Sequence, residues 1–349
     1  MRAAVFHGPR DIRIEDIAEP EPGPGEVLVA VARNGICGSD LHTYVGASSG
    51  GSMMHPPGVV LGHEFAGTVK QVGAGVEDLT VGTAVAVAPI EWCGTCWPCT
   101  RQWHHLCRRL ALYGGYRLPL HGGLAPLVAV SRRSVFEVPA GLDVVAASLT
   151  EPMAVAFHAA RRAPDLDGAS VMVLGAGPIG LGILQAAAAR GAATTFITDP
   201  SPARRLAAMK LGATLALDPT TSDVRSGVRD LTGHGVDVVF DTTAVDQALS
   251  QGIAALRPRG TLISVAGWQQ PARVDMGLAM TKEIEIRFSI TYEPDIDFPA
   301  TLAMLADGHF DATTMVSDHI PLDRLVEDGI EELLHHADRH LKILVDPNS

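Results

Sequence analysis

Four of the five cysteines crowd into residues 89–107, at Cys93, Cys96, Cys99 and Cys107, a C-x2-C-x2-C-x7-C spacing. Thiolates so spaced can wrap a tetrahedral cage round one zinc ion, and four sulfurs leave no position open, so the reading is a closed structural site. An iron–sulfur cluster shares the tight early spacing, but its last cysteine is near or remote and followed by proline, whereas Arg108 follows Cys107. His104 and His105 could compete as ligands, although four thiolates already saturate zinc. Cys37 stands apart in Gly35-Ile36-Cys37-Gly38-Ser39-Asp40-Leu41-His42, and a lone cysteine is ordinarily a small buried apolar residue. After a proline-rich loop at 53–58, Leu61-Gly62-His63-Glu64 adds an imidazole and a carboxylate. Cys37, His63 and a carboxylate make the three-ligand set of a catalytic zinc with its fourth position open.

A second chemistry lies at 170–199. An apolar run, 171–174, breaks at Gly175-Ala176-Gly177-Pro178-Ile179-Gly180, a helical stretch reaches Arg190, and a second apolar run, 194–198, ends at Asp199. Strand, glycine turn, helix and strand in this order read as a dinucleotide-binding unit. Gly175 permits the tight turn, Gly177 lets backbone N–H groups approach a pyrophosphate and Gly180 lets helix and strand pack closely, while Pro178 and Ile179 open the helix. A carboxylate at Asp199 accepts hydrogen bonds from both ribose hydroxyls and repels a 2′-phosphate, so NAD is favoured over NADP. Arg204 reads first as a solvated helix charge and second as a neighbour of the adenine ribose, where its charge would work slightly against strict exclusion of NADP.

The elements that must carry these residues differ along the chain. Short apolar runs cut by turns, at 3–6 and 26–31, predict a β-rich first region. Beyond Asp199 helix and strand alternate: helices at 204–211, 224–231 and 245–256, strands at 215–217, 236–240, 261–266 and 285–289. With 171–174 and 194–198 this predicts an α/β, doubly wound six-stranded parallel sheet with right-handed crossovers. Thr242 and Ala266 then follow strands whose carboxyl ends face the cofactor crevice, with Trp268 close behind. The strand at 287–290, if at the sheet edge, can pair with its twin in another subunit, which predicts a homodimer or homotetramer. Helices at 299–306 and 322–336 and a strand at 342–345 complete the first region. His309, His319, His335, His336 and His340 form no metal-like spacing.

With GICGSDLH, LGHEFAGTV, the four-cysteine loop and LGAGPIG in one order, the chain resembles the zinc-dependent medium-chain alcohol/polyol dehydrogenase family from end to end. Within it the likeness is to the butanediol and sorbitol branch, because Thr150-Glu151-Pro152-Met153-Ala154-Val155 sets a glutamate where other branches carry a cysteine ligand. The stretch from His340 to Val345 is similar too. The resemblance implies a mostly β, barrel-like, GroES-like catalytic zinc domain over 1–152, completed by 292–349, and an NAD-binding Rossmann domain over 153–291. It implies Cys37, His63, Glu64 and Glu151 around the catalytic zinc, with Ser39 and His42 as a proton relay. Sequence alone does not choose between Glu64 and Glu151 as the direct ligand. Without the family, Ser39 and His42 read as an ordinary turn. Relatives often place a glycine near Ala244 and, in the sorbitol type, an arginine near Thr291; the latter's absence argues against long polyols. The implied activity is reversible oxidation of a small secondary alcohol or vicinal diol of the 2,3-butanediol type, with two Zn2+ per chain and NAD. Sorbitol- or L-threonine-type dehydrogenases are alternatives, and a non-enzymatic zinc module or a zinc-free reductase are more distant ones.

Composition agrees. At 349 residues, 47% of them hydrophobic, two domains are expected. A net charge of −12 argues against nucleic acid or an anionic membrane as partner and leaves a small diffusible substrate. The 19 residues from 171 to 189 carry no charged side chain, long enough for a membrane span, but three glycines with a proline at the dinucleotide spacing interrupt them. Clustered cysteines rather than a disulfide pattern, and an N-terminus without a signal-type apolar run, predict a soluble cytoplasmic protein.

Overall fold

The apolar run that leads into the glycine turn is a strand, Ser170–Leu174, all five residues buried, as a strand covered on both faces must be. In the computed structural model, which describes residues 1–46, 55–115 and 117–349, it is the pivot of a six-stranded sheet. The order is Leu215–Leu217, Thr194–Thr198, Ser170–Leu174, Val236–Asp241, Leu256–Ser264, Glu285–Phe288. Every pairing is parallel. In chain order this is 3-2-1-4-5-6, which reverses between Ser170–Leu174 and Val236–Asp241; ligands collect beyond the carboxyl ends of strands at such a switch.

Two compact units share the chain. One comprises Met1–Glu151, Glu293–Gly308 and Met315–Ser349, the other Pro152–Tyr292 and His309–Thr314. In the second, Met172, Leu174, Phe196, Val239 and Leu262 form the apolar core, and the short return segment is tied in by the Asp311 N–H, which donates to Gln185 Oε1 at 2.7 Å. Ala244, just past the switch-point strand, holds a left-handed backbone at φ +53°. Its Cβ makes that conformation costly, whereas glycine adopts it freely. Ala244→Gly is therefore expected to stabilise the protein by about 0.5–1 kcal/mol, seen as a rise in Tm of about 1–3 °C; an unchanged or lower Tm would show that the neighbours hold this turn without strain.

The first unit is β-rich. Its larger sheet runs Val135–Glu137, Ala84–Val87, Glu64–Val72, Glu26–Gly35, Lys342–Asp346, Val316–Pro321, with Leu127–Ser131 also paired to Glu26–Gly35. A smaller sheet joins Asp11–Asp16, Arg2–Gly8 and Val59–Val60. The pairing that matters most for the site brings Glu64 opposite Gly35 and Leu344 opposite the same glycine.

Three local expectations shift. Cys37–His42 is not a turn: Gly38–Tyr44 is an α-helix. The return helix starts five residues earlier than Pro299, spanning Pro294–Ala306. Pro294 sits in its first turn, where no N–H is needed, and Asp297 accepts from the Glu293 N–H at 2.7 Å, so the interior Pro299 costs one hydrogen bond without ending the helix. The region 322–336 is a 3-10 turn, Leu322–Arg324, a π-helix, Leu325–Glu331, and a short α-helix, Glu332–His336. Gly329 in the π-helix leaves space for Ile36, the residue before Cys37. Of the loop at 53–58, Met53 and Met54 lie outside the described residues. Among the described residues no helix is long and apolar enough to cross a membrane.

Candidate active site and metal centres

Cys37 caps the helix Gly38–Tyr44, and its backbone N–H donates to Asp40 Oδ2 at 2.9 Å. A carboxylate three residues into a helix returning to the capping N–H is the usual way to fix such a start, and here it fixes the direction of a thiol. The other oxygen, Oδ1, lies 3.6 Å from His63 Nδ1. Asp40 is buried at 4% exposure, so one carboxylate orients both the cysteine segment and the imidazole. His63 leads into the strand Glu64–Val72, and its Nε2 is 3.3 Å from Ser39 Oγ. The ligand atoms of Cys37, His63 and Glu64 all fall within 4.8 Å of one another.

Glu64, 1% exposed, meets the ammonium of Lys342, 3% exposed. Lys342 Nζ donates to Glu64 Oε1 at 2.8 Å, to Oε2 at 2.6 Å and to the Ile36 carbonyl at 2.9 Å. Room for this carboxylate comes from Gly35, where a Cβ would collide with Glu64 Oε2. Burial alone would drive the proton off Lys342, but Glu64, helped by Cys37 and Glu151, lifts its pKa above the ordinary lysine range, so the pair stays ionic. Burial also works against a charged His63; the anions of Asp40, Cys37 and Glu151 outweigh it and hold the imidazole well above the usual histidine range. A pocket whose own field favours positive charge at His63 suits a cation. Glu151, in the first turn of Thr150–Arg162 and 8% exposed, acts on this cluster from another element. His42 is exposed one helical turn beyond Ser39. The donor set of thiolate, imidazole and carboxylate fits catalytic zinc.

The four-cysteine loop closes on itself. Cys93 and Cys99 sulfurs are 3.9 Å apart, Cys96 and Cys99 3.5 Å, Cys96 and Cys107 3.8 Å, and Cys107 and Cys93 3.5 Å. A tetrahedron with zinc–sulfur bonds of about 2.3 Å has edges of about 3.8 Å, so the thiols fit one zinc ion. The Thr95 backbone N–H, with those of Cys96 and the Arg109 side chain, holds the Cys93 thiol down at about 5, while burial pushes Cys99 up to about 12. His104 is no competitor: it stacks on Trp92 at 4.5 Å and pairs with Asp295 at 3.4 Å.

In the second unit the glycine turn takes its expected form. Gly175 has φ +92°, and a Cβ there would stand 2.8 Å from Thr242 Oγ1. A Cβ on Gly180 would run into the Gly175 carbonyl. Gly177 caps the helix Pro178–Ala189, with Pro178 and Ile179 in its first turn. Thr242 Oγ1 donates to the Leu174 carbonyl at 2.7 Å, and the Ala266 N–H to the Asp241 carbonyl at 3.2 Å. Arg204 Nη1 would lie 3.9 Å from a Cβ on Gly177, beside the turn rather than only out over the helix. Asp199 is 5% exposed; its Oδ2 accepts from the Ala176 N–H at 2.9 Å and its Oδ1 from the Ser201 N–H at 2.8 Å. It therefore braces the turn, a role the sequence reading did not assign. That reading also missed Asp40, whose place three residues after Cys37 was a usable capping signal, and Lys342, for which no local signal existed.

Two family models match the chain: Alcohol dehydrogenase GroES-like domain over residues 23–140 and Zinc-binding dehydrogenase over 178–307. The (R,R)-butanediol dehydrogenase of Neisseria gonorrhoeae is 36% identical over the full length of both chains. The sorbitol dehydrogenase of Bacillus subtilis is 34% identical, over 100% of this chain and 98% of its own. Among solved structures, the crystal structure of 2R,3R-butanediol dehydrogenase from Bacillus subtilis matches with a TM-score of 0.90 at 36% identity, covering 99% of each chain.

Proposed function

Because this chain belongs to the zinc-dependent medium-chain alcohol dehydrogenases, oxidoreductases acting on CH–OH groups, we propose that it interconverts a small secondary alcohol or vicinal diol, of the 2,3-butanediol type, and the ketone. The observation that carries this reading is the convergence of Cys37, His63 and Glu64 within 4.8 Å, with a hydroxyl, Ser39, at the imidazole's edge. The first unit is then the catalytic domain and the second the NAD-binding domain.

Bound zinc would supply Lewis acidity toward an alcohol hydroxyl, and bound NAD would supply the hydride acceptor. The chain does the rest. Cys37, His63 and a glutamate would hold the cation, and the Asp40 carboxylate, 3.6 Å from Nδ1, favours a proton on that nitrogen by its charge. Ser39 Oγ takes the hydroxyl proton and passes it toward the exposed His42 imidazole, which delivers it to solvent. Gly175, Gly177, Pro178, Ile179 and Gly180 receive the pyrophosphate, Asp199 and Arg204 the adenosine ribose, and Thr242 and Ala266 line the same sheet edge. Cys93, Cys96, Cys99 and Cys107 hold the second zinc.

The strand Glu285–Phe288 lies at the sheet's edge and exposes Phe288 at 70%. An unpaired edge with apolar side chains invites a second copy, which supports a homodimer or homotetramer. Reduced, metal-holding thiols support the cytoplasm as its compartment.

A metal count combined with an NAD-linked alcohol panel tests the function. Two zinc ions per chain and faster NADH formation from 2,3-butanediol than from sorbitol or L-threonine are expected. A preference for sorbitol or L-threonine would move the substrate, and one zinc with no alcohol-dependent NAD reduction would leave only a zinc-binding module.

A further inference from the structure

The loop that carries Asp199 is held by a second arginine, Arg205, one residue beyond Arg204 in the helix Pro202–Lys210. Its guanidinium turns back over the loop: Nη1 donates to the Asp199 carbonyl at 2.6 Å and to the Pro200 carbonyl at 2.9 Å, and lies 3.1 Å from Asp218 Oδ2. The two side chains are only 20% and 22% exposed, so solvent and salt screen this pair less than one out in water. Asp218 follows the strand Leu215–Leu217, and its other oxygen accepts the Thr220 N–H at 2.9 Å and the Thr220 hydroxyl at 2.6 Å. Those bonds, with the charge of Arg205, hold its carboxyl below the usual carboxylate range, and it stays ionised at neutral pH.

The consequence falls on Asp199. Its N–H donates to the Leu217 carbonyl at 3.1 Å, its carbonyl takes Arg205, and its two carboxylate oxygens each take one backbone N–H, from Ser201 and Ala176. A carboxylate has about four lone-pair sites. The sites left over match the two hydroxyls of an adenosine ribose in number, and they keep one direction only while the main chain of residue 199 is pinned on both sides. Without Arg205 the peptide units on either side of Pro200 could turn, and the carboxylate with them. Charge works the same way, because a guanidinium occupied by Asp218 and two carbonyls is not offered to a 2′-phosphate.

Resting on the NAD-binding role proposed above for Asp199, we propose that Arg205, anchored by Asp218, is a positioning residue that sets the preference for NAD over NADP.

The test measures NADH and NADPH binding by calorimetry, together with amide hydrogen exchange, in the full-length wild type and in Arg205→Met, Arg205→Lys and Asp218→Asn. Arg205→Met keeps the apolar stem and loses the bonds, so Kd for NADH rises about 10-fold while Kd for NADPH moves by less than about twofold. KM for NAD follows, and kcat stays within about twofold because no reacting atom is touched. Exchange quickens in the segments holding Ala176 and Ser201, and the strand Val236–Asp241 keeps its protection. Arg205→Lys restores part of the preference, since an ammonium keeps the charge without the fork. Asp218→Asn narrows the preference in the same direction by about 2- to 3-fold, because the two carbonyl bonds remain, and it decides the matter should Arg205→Met fail to fold. Equal weakening of both nucleotides, or a wild-type NADH-to-NADPH ratio in a folded Arg205→Met, overturns the proposal and leaves the ribose role of Asp199 standing. A wild type that binds NADPH as tightly as NADH overturns both.

Discussion

Cys37→Ala is expected to abolish turnover while one zinc stays bound to every chain. Cys37 is proposed to supply the thiolate at the cluster, and alanine would remove both that ligand and the negative charge that balances the dication. Lewis-acid stabilisation by such a metal is worth several kcal/mol of barrier, so kcat should fall by about 10³-fold or more. The loss is local. Cys93, Cys96, Cys99 and Cys107 form a separate cage, and the helix Gly38–Tyr44 keeps its cap because Asp40 bonds the backbone N–H of residue 37, which alanine retains. NADH formation, elemental analysis and circular dichroism on one preparation should show no rate, one zinc and an unchanged fold. Turnover within tenfold of the wild type would remove Cys37 from the site.

The second large effect concerns Asp199. Its carboxylate is proposed to bind the ribose hydroxyls, and it also accepts two backbone N–H groups, from Ala176 and Ser201. Hydrogen bonds to a charged acceptor contribute about 1.5–3 kcal/mol each. Asp199→Gly should therefore raise KM for NAD by about 10- to 100-fold and lower Tm. The two roles separate in the cofactor ratio. Loosening of the glycine turn weakens NAD and NADP alike, whereas loss of the ribose acceptor and of repulsion toward a 2′-phosphate shifts preference toward NADP. An unchanged NAD-to-NADP ratio would assign Asp199 to bracing alone.

The sheet and its glycine turn were legible in the sequence because each residue there answers a local demand. Thr194–Thr198 has the expected bounds since its apolar run is cut by turn residues on either side. Gly175 and Gly180 are readable because no side chain fits where they sit. The helix carrying Ser39 and His42 was not legible, because glycine, serine and aspartate favour turns and the helix has only seven residues; what makes it helical is the Asp40 cap and its packing. Lys342 was least legible of all. Its partner Glu64 is 278 residues away, and a lysine at the start of an apolar strand reads as a solvated flank until the register places it in the interior.

That long separation sets the order in which the molecule can mature on the ribosome. Cys37, His63 and Glu64 emerge early, yet the strand that seats the ammonium beneath them is translated last among the parts they need. The dinucleotide-binding unit, drawn almost wholly from one continuous stretch, can fold in the interval as domains do during synthesis. A nascent chain would then hold the parallel-sheet unit complete while the cluster of Cys37, His63 and Glu64 still lacked Lys342, so the ion pair of Glu64 forms only after that late strand has been added.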